Sequence, residues 1–188
     1  MEAGKNIAYT GTLGDILLGK QPLANYLSQL QFNNIMKMED LKNLVKNIIE
    51  KATALKNKHI DDKNTPVNYA CIFSQSKEEY DELVEASRKI GKVIQETPTG
   101  LLFHIEPLET VSGVLKLLKI RIPDTTRPER GDADFTISNF PEFEKKYLSK
   151  SGFKILRKPD FYMVELMDSD FDVRAYFSNP PLDRQLNI

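Results

Sequence analysis

The chain of 188 residues contains one cysteine, Cys71. It can form no internal disulfide and no CxxC-type zinc site, which excludes a stapled secreted fold and a zinc finger. Two histidines, His59 and His104, are too few for a His-rich metal centre. No stretch approaches the ~20 apolar residues of a spanning helix, and MEAGKNIAYTGTLGD has no signal-peptide core. A cytoplasmic protein that does not engage membranes is expected. Charge of one sign is also missing: 26 Lys and Arg face 27 Asp and Glu, a net charge of -1. That balance supplies no overall field for a nucleic-acid backbone, so no nucleic-acid partner is expected. Against these absences stand 40% hydrophobic and 28% charged residues. This is an ordinary globular balance, in a length that suits one domain or a compact domain with an appendage.

Apolar residues recur every three or four positions at Ile16, Leu17, Leu23, Tyr26, Leu27 and Leu30, and again from Met38 to Ile49, which predicts an amphipathic helical pair over residues 1–62. Asp15 and the Met38-Glu39-Asp40 stretch suit first turns, and Lys56 and Lys58 suit a C-terminus. The breaker cluster DDKNTP then ends the helical period, which places a boundary between residues 62 and 63. Residues 67–122 read as strand VNYACIF, helix SKEEYDELVEASRKI, strands KVIQET and LLFHIE around a turn, and strand LKLLKIRI. Residues 132–177 repeat that βαβββ order with DADFTI, NFPEFEKKYLSK, FKILR, FYMVELM and FDVRAYF. Gly91 lies seven residues before Pro98 and Gly152 seven before Pro159, so each copy runs alike from a helix-end glycine to a hairpin proline. The predicted fold is α+β: two βαβββ modules, 67–122 and 132–177, in a curved, mainly antiparallel sheet around a cavity within 63–188. The helical segment packs on one end. The tail SNPPLDRQLNI, with two prolines, is expected to be extended, and the loop 124–131 and the hairpin 97–100 to be mobile.

Paired βαβββ modules resemble the vicinal oxygen chelate superfamily of glyoxalases, extradiol dioxygenases and bleomycin-resistance proteins. The helical N-terminus, and the passage Ile120-Arg121-Ile122-Pro123 to Gly131-Asp132-Ala133-Asp134-Phe135, are most similar to the YecM-like branch. The resemblance implies a divalent metal held by His and Glu on the first and last strands of the modules. Those positions fall near Asn68, Arg121, Asp132, and Arg174 or Ala175. A guanidinium cannot ligate a metal, so the family's metal site looks dismantled and no cofactor is expected.

Period-two alternation places Asp132 and Asp134 on one face of their strand, with Ala133 and Phe135 on the other. The polar faces of neighbouring strands carry His104 and Glu106, Lys119 and Arg121, Glu165, Asp172, Arg174 and Tyr176. Arg121 and Arg174, on matching late strands, are suited to hold a carboxylate or phosphate bidentately, with Asp132, Asp134 and Tyr176 beside them. The competing reading is that each arginine neutralises Asp132 or Asp134. If a divalent metal is held instead, His104, Glu106, Asp132 and Glu165 are its ligands. Cys71, in an apolar strand, reads as an inert small hydrophobe, and His59 as exposed. Three functions fit: a binding protein or degenerate enzyme taking a small anionic or polar ligand between the modules, a metal-dependent lyase, isomerase or dioxygenase, and an interaction module working through the N-terminal helices. With both modules in one chain, a monomer or a homodimer suffices.

Overall fold

The computed structural model describes residues 23–159 and 161–188, with side chains from Met38 onward apart from residue 160. The chain divides into two compact units, 1–37 and 38–188. Of the first unit, the described part is the beginning of helix α1, Leu23–His59. The expected helical pair is therefore one helix where it is described. Gln31 to Lys37 contains neither proline nor glycine, so nothing there ends a helix. Glu39 and Asp40 are accordingly interior positions and not a first turn. Ile16, Leu17 and Asp15 lie outside the described residues.

The second unit continues from α1 through β1 (Val67–Phe73), α2 (Lys77–Ile90), β2 (Gly91–Thr97), β3 (Gly100–Thr110), β4 (Gly113–Arg121), β5 (Gly131–Phe135), α3 (Phe140–Tyr147), β6 (Phe153–Arg157), β7 (Tyr162–Leu166), β8 (Val173–Asn179) and α4 (Leu182–Leu186). The βαβββ order thus occurs twice. All eight strands form one sheet in the order β2-β3-β4-β1-β5-β8-β7-β6. Within each module the first and last strands pair in parallel, β1 with β4 and β5 with β8, while β1 and β5 join the modules antiparallel. Gly91 opens β2 and Gly152 precedes β6, the matching places that the sequence spacing implied.

Local signals explain the elements. Ser76 caps α2 by accepting from the Glu79 backbone N–H, with Glu78 and Glu79 in the first turn and Arg88 and Lys89 in the last. Asn139 caps α3 in the same way, with Pro141 in its first turn. On the helix-covered face of the sheet, Ala70, Ile72, Leu118, Ile120, Ala133, Phe135, Ala175 and Phe177 are buried.

Leu41, Val45, Ile48, Ile49, Ala52 and Leu55 of α1 belong to that same core. Residues 38–59 are therefore not an appendage packed on one end. They bridge both modules: Thr53 meets Ser112 at 2.8 Å, Lys51 meets Asp172 at 2.8 Å, and Lys58 and His59 meet Asp168 at 2.8 Å. His59 is half-buried there, against the expectation that it is exposed. Lys56 is fully buried, its ammonium donating to Asn57 Oδ1 at 2.7 Å and the Lys63 carbonyl at 3.3 Å. Among the described residues no helix is long and apolar enough to cross a membrane.

The tail is not extended. Leu182–Leu186 makes a short helix, and the Asp183 backbone N–H donates to Asn68 Oδ1 at 3.3 Å. Two turn glycines have different surroundings. Gly100 has φ +130°, and a Cβ there would lie 2.1 Å from the Ile120 carbonyl oxygen. Gly113 has φ +100°, but its nearest neighbour would be Pro66 Cβ at 3.8 Å. Gly100→Ala should cost at least ~2 kcal/mol and Gly113→Ala roughly 1 kcal/mol, because both strain the backbone but only the first collides with a paired strand. Urea unfolding of the two variants checks this, and equal losses would contradict it.

Candidate functional site

The face of the sheet opposite the helices is lined by the alternate residues of the central strands. Cross-strand register sets Cys71 between Lys119 and Asp132, and Asp132 beside Arg174. It sets Tyr69 beside Asp134, and Tyr176 between Asp134 and Glu165. Of the site residues expected from sequence, Arg121, Arg174, Asp132, Asp134, Tyr176 and Glu165 do come together on this face. Asp172 does not: it is on the surface with Lys51.

The two arginines are already engaged. Arg174, 9% exposed, donates from Nη1 to Glu165 at 2.7 Å and from Nη2 to Glu129 at 2.7 Å. The Tyr176 hydroxyl also donates to Glu165. Burial pushes the Glu165 carboxyl up, but hydrogen bonds from Tyr176 and Arg174 outweigh it and hold the group below the usual range. Arg121 pairs with Asp124 at 3.1 Å, and the guanidinium groups of Arg121 and Arg127 each lie 5.7 Å from the centre of the Phe73 ring. Internal neutralisation therefore prevails for both, with partners other than those expected: Glu165 and Glu129 for Arg174, Asp124 for Arg121. The loop 124–131 that supplies Asp124 and Glu129 is tied down further by Arg130, which donates to the Phe73 carbonyl at 2.9 Å and to Glu79.

Asp132 and Asp134 have no ion-pair partner among the described residues. Asp132 is 6% exposed, and its Oδ1 makes no hydrogen bond. Burial, then the neighbouring Asp134, push its carboxyl up to about 8, against the pull of Arg127, Lys119 and Arg121. Asp134 is 5% exposed and accepts from the Ser178 backbone N–H at 3.0 Å and from the Ser178 hydroxyl. Burial pushes it up to about 6 in spite of those bonds. Burial also raises the Cys71 thiol, so it stays protonated and is no nucleophile.

Beside this cluster lies a cavity of about 210 Å³. Both modules contribute to it, with Tyr69, Lys119 and Leu102 from one and Asp134, Met163 and Ser178 from the other. Leu182 and Gln185 of the tail helix close one side. Asp134 is the one sequence-predicted ligand-binding residue that lines it. Lys119 was placed on the polar face by alternation but was not singled out. Its ammonium donates to Thr97 Oγ1 at 2.9 Å and Thr99 Oγ1 at 2.7 Å, which also ties down the hairpin 97–100. Burial lowers its affinity for the proton. No ion-pair partner is found for it among the described residues.

The metal ligands expected as an alternative are not gathered. His104 and Glu106 are exposed and line a separate hollow of about 490 Å³ with Arg88, Lys89 and Lys92, while Asp132 and Glu165 are buried around Arg174. Among the described residues no three of His, Cys, Asp or Glu gather as a metal centre would require. At the positions implied by the resemblance, Asn68 falls in a register shift of β1 and accepts from the tail, Asp132 is a single buried carboxyl, Arg121 and Arg174 are cations, and Ala175 belongs to the helix-side core. This donor set does not fit a divalent metal.

Two βαβββ modules joined through their first strands in one eight-stranded sheet decide the architecture. The fold of the described residues is α+β, with one mixed eight-stranded sheet. It resembles a structural-genomics structure, Protein EC4020, with a TM-score of 0.58 and 11% identity over 76% of this chain and 87% of that one. At that identity the likeness is one of fold. Glyoxalase I from Zea mays overlaps with a TM-score of 0.37 and 18% identity over 61% of this chain, and a single-site variant of it with 0.35 and 13%. The chain spans 42% and 43% of those two. No protein-family model and no curated protein matches the chain in sequence.

Proposed function

We propose that this is a binding protein or degenerate enzyme of the vicinal oxygen chelate type, of the YecM-like branch, which takes a small anionic or polar molecule between its two modules. The observation that carries this reading is the cavity of about 210 Å³, which receives polar side chains from both modules and is lined by a cation, Lys119, that has no carboxylate partner among the described residues. The anchor is thus Lys119 and not the pair Arg121 and Arg174, whose guanidinium groups are neutralised within the protein. Thr97 and Thr99 hold the ammonium from one side, so an anion in the cavity completes its coordination. Leu102, Phe161, Met163 and Leu182 supply the apolar wall that a small ligand's carbon frame needs. No metal is required by this reading, and a cytoplasmic setting fits the single buried thiol.

Calorimetric titration with pentanoate and with inorganic phosphate tests it. Lys119→Met should weaken binding of whichever anion binds by roughly 10-fold to 100-fold, the worth of a charge-assisted hydrogen bond. Arg121→Met should leave it nearly unchanged. Loss of binding in Arg121→Met but not in Lys119→Met would restore the arginine as the anchor, and no binding of either anion to the unmodified chain would refute the reading.

A further inference from the structure

The polar face holds six charged side chains in pairs or triads: Arg174 with Glu165 and Glu129, and Arg121 and Arg127 with Asp124. Two charged groups that line the cavity lack a counter-ion among the described residues, Lys119 and Asp134. Each is held by hydroxyl groups of its own module, Lys119 by Thr97 and Thr99, Asp134 by Ser178. They do not pair with each other because they stand on β4 and β5, on opposite sides of β1, and are offset along the strands by two residues: Lys119 is level with Cys71, Asp134 with Tyr69. With strands spaced by about 4.8 Å and a rise of about 3.4 Å per residue, the two residues' backbones are roughly 12 Å apart. Half-buried and buried charges in this state are destabilising until an opposite charge reaches them.

We propose that the ligand is dipolar: a small molecule with a carboxylate at one end, bound by Lys119, and an ammonium at the other, bound by Asp134. This rests on the reading of the cavity as a ligand site and names the class of molecule it takes. The separation across β1 favours an amine several carbons from the acid over an α-amino acid, whose two charges are too close together to reach both walls. Leu102 and Met163 meet the methylene chain between them. The volume of about 210 Å³ suits a ligand of roughly amino-acid size.

The test compares three probes on the unmodified full chain by calorimetry at pH 7.5: δ-aminovalerate, pentanoate and pentylamine. The expected result is that δ-aminovalerate binds at least tenfold more tightly than either singly charged analogue. Asp134→Asn should abolish the preference over pentanoate while pentanoate binding survives, and a thermal melt confirms that the variant is folded. Equal binding of pentanoate and δ-aminovalerate by the unmodified chain overturns the dipolar ligand but leaves the anion-binding cavity standing. Failure of both to bind overturns the cavity reading as well. Because the first comparison uses no variant, the proposal is decided even if Asp134→Asn does not fold.

Discussion

Arg174→Ala is expected to destabilise the protein by roughly 3–5 kcal/mol at neutral pH, the usual consequence of removing one partner from a buried ion cluster. Arg174 is 9% exposed and Glu165 5%, and the arginine donates to Glu165 and Glu129 at 2.7 Å each. The truncation strands two carboxylates on the polar face and removes the cation that lowers Glu165's affinity for protons. The loss reflects stranded charge more than the worth of the pair, so Arg174→Met combined with Glu165→Met should recover a large part of it. Urea midpoints of the single and double variants measure this. A loss below 1 kcal/mol in Arg174→Ala would mean that the cluster is solvated and that the guanidinium is available to a ligand after all.

Asp132→Asn is expected to change how stability depends on pH. Below pH ~4 the carboxyl is neutral in the folded and the unfolded chain alike, and its burial carries little penalty. Between about 4 and 8 the unfolded group ionises while the folded one, pushed up to about 8 by burial, stays protonated. The unfolded chain thus binds fewer protons in this window, and stability falls as pH rises through it, by roughly 3–5 kcal/mol. Asp134, pushed up to about 6, adds a fall confined to the more acid part of the same window. Glu165 acts in the opposite sense, but its carboxyl is held below the usual range, so its contribution disappears only under more acid conditions. Asparagine in place of Asp132 keeps the shape and cannot ionise. The variant should match the parent near pH 4, exceed it by several kcal/mol near pH 8, and flatten the slope between. Urea unfolding at pH 4, 6 and 8 decides the matter, since an unchanged slope would exclude Asp132 as its source.

Local chemistry made much of the fold legible. Val67–Phe73 and Phe153–Arg157 are strands over the residues that their composition marks. Ser76 and Asn139 start their helices as capping residues. The alternation Asp132-Ala133-Asp134-Phe135 assigned two carboxylates to one face and two apolar groups to the core. Each of these depends on the conformational preference of a few neighbouring residues or on a period of two. From Leu30 to Met38 the chain stays helical where a break is expected, because a local pattern marks only where apolar faces recur, and the absence of a breaker between them is the stronger signal. The tail is helical over Leu182–Leu186 and not extended, and its contact is with Asn68, more than a hundred residues away in the chain.

The polar face shows the same division. Sequence alternation determined which charges share it, including Lys119, Arg121, Asp132, Asp134, Glu165 and Arg174, because side-chain direction in a strand follows from position alone. Which of them are neutralised and which lack a counter-ion among the described residues was decided by tertiary structure. Arg174 meets Glu165 only because β7 and β8 pair in one register, and Glu129 only because the loop 124–131 folds back over the sheet. Lys119 and Arg121 differ by two positions on one strand and are equivalent by local pattern. Asp124 covers one, and the cavity formed with the tail helix receives the other. Strand propensity acts over a few residues, whereas the pairing of buried charges depends on loops and registers brought together from distant parts of the chain.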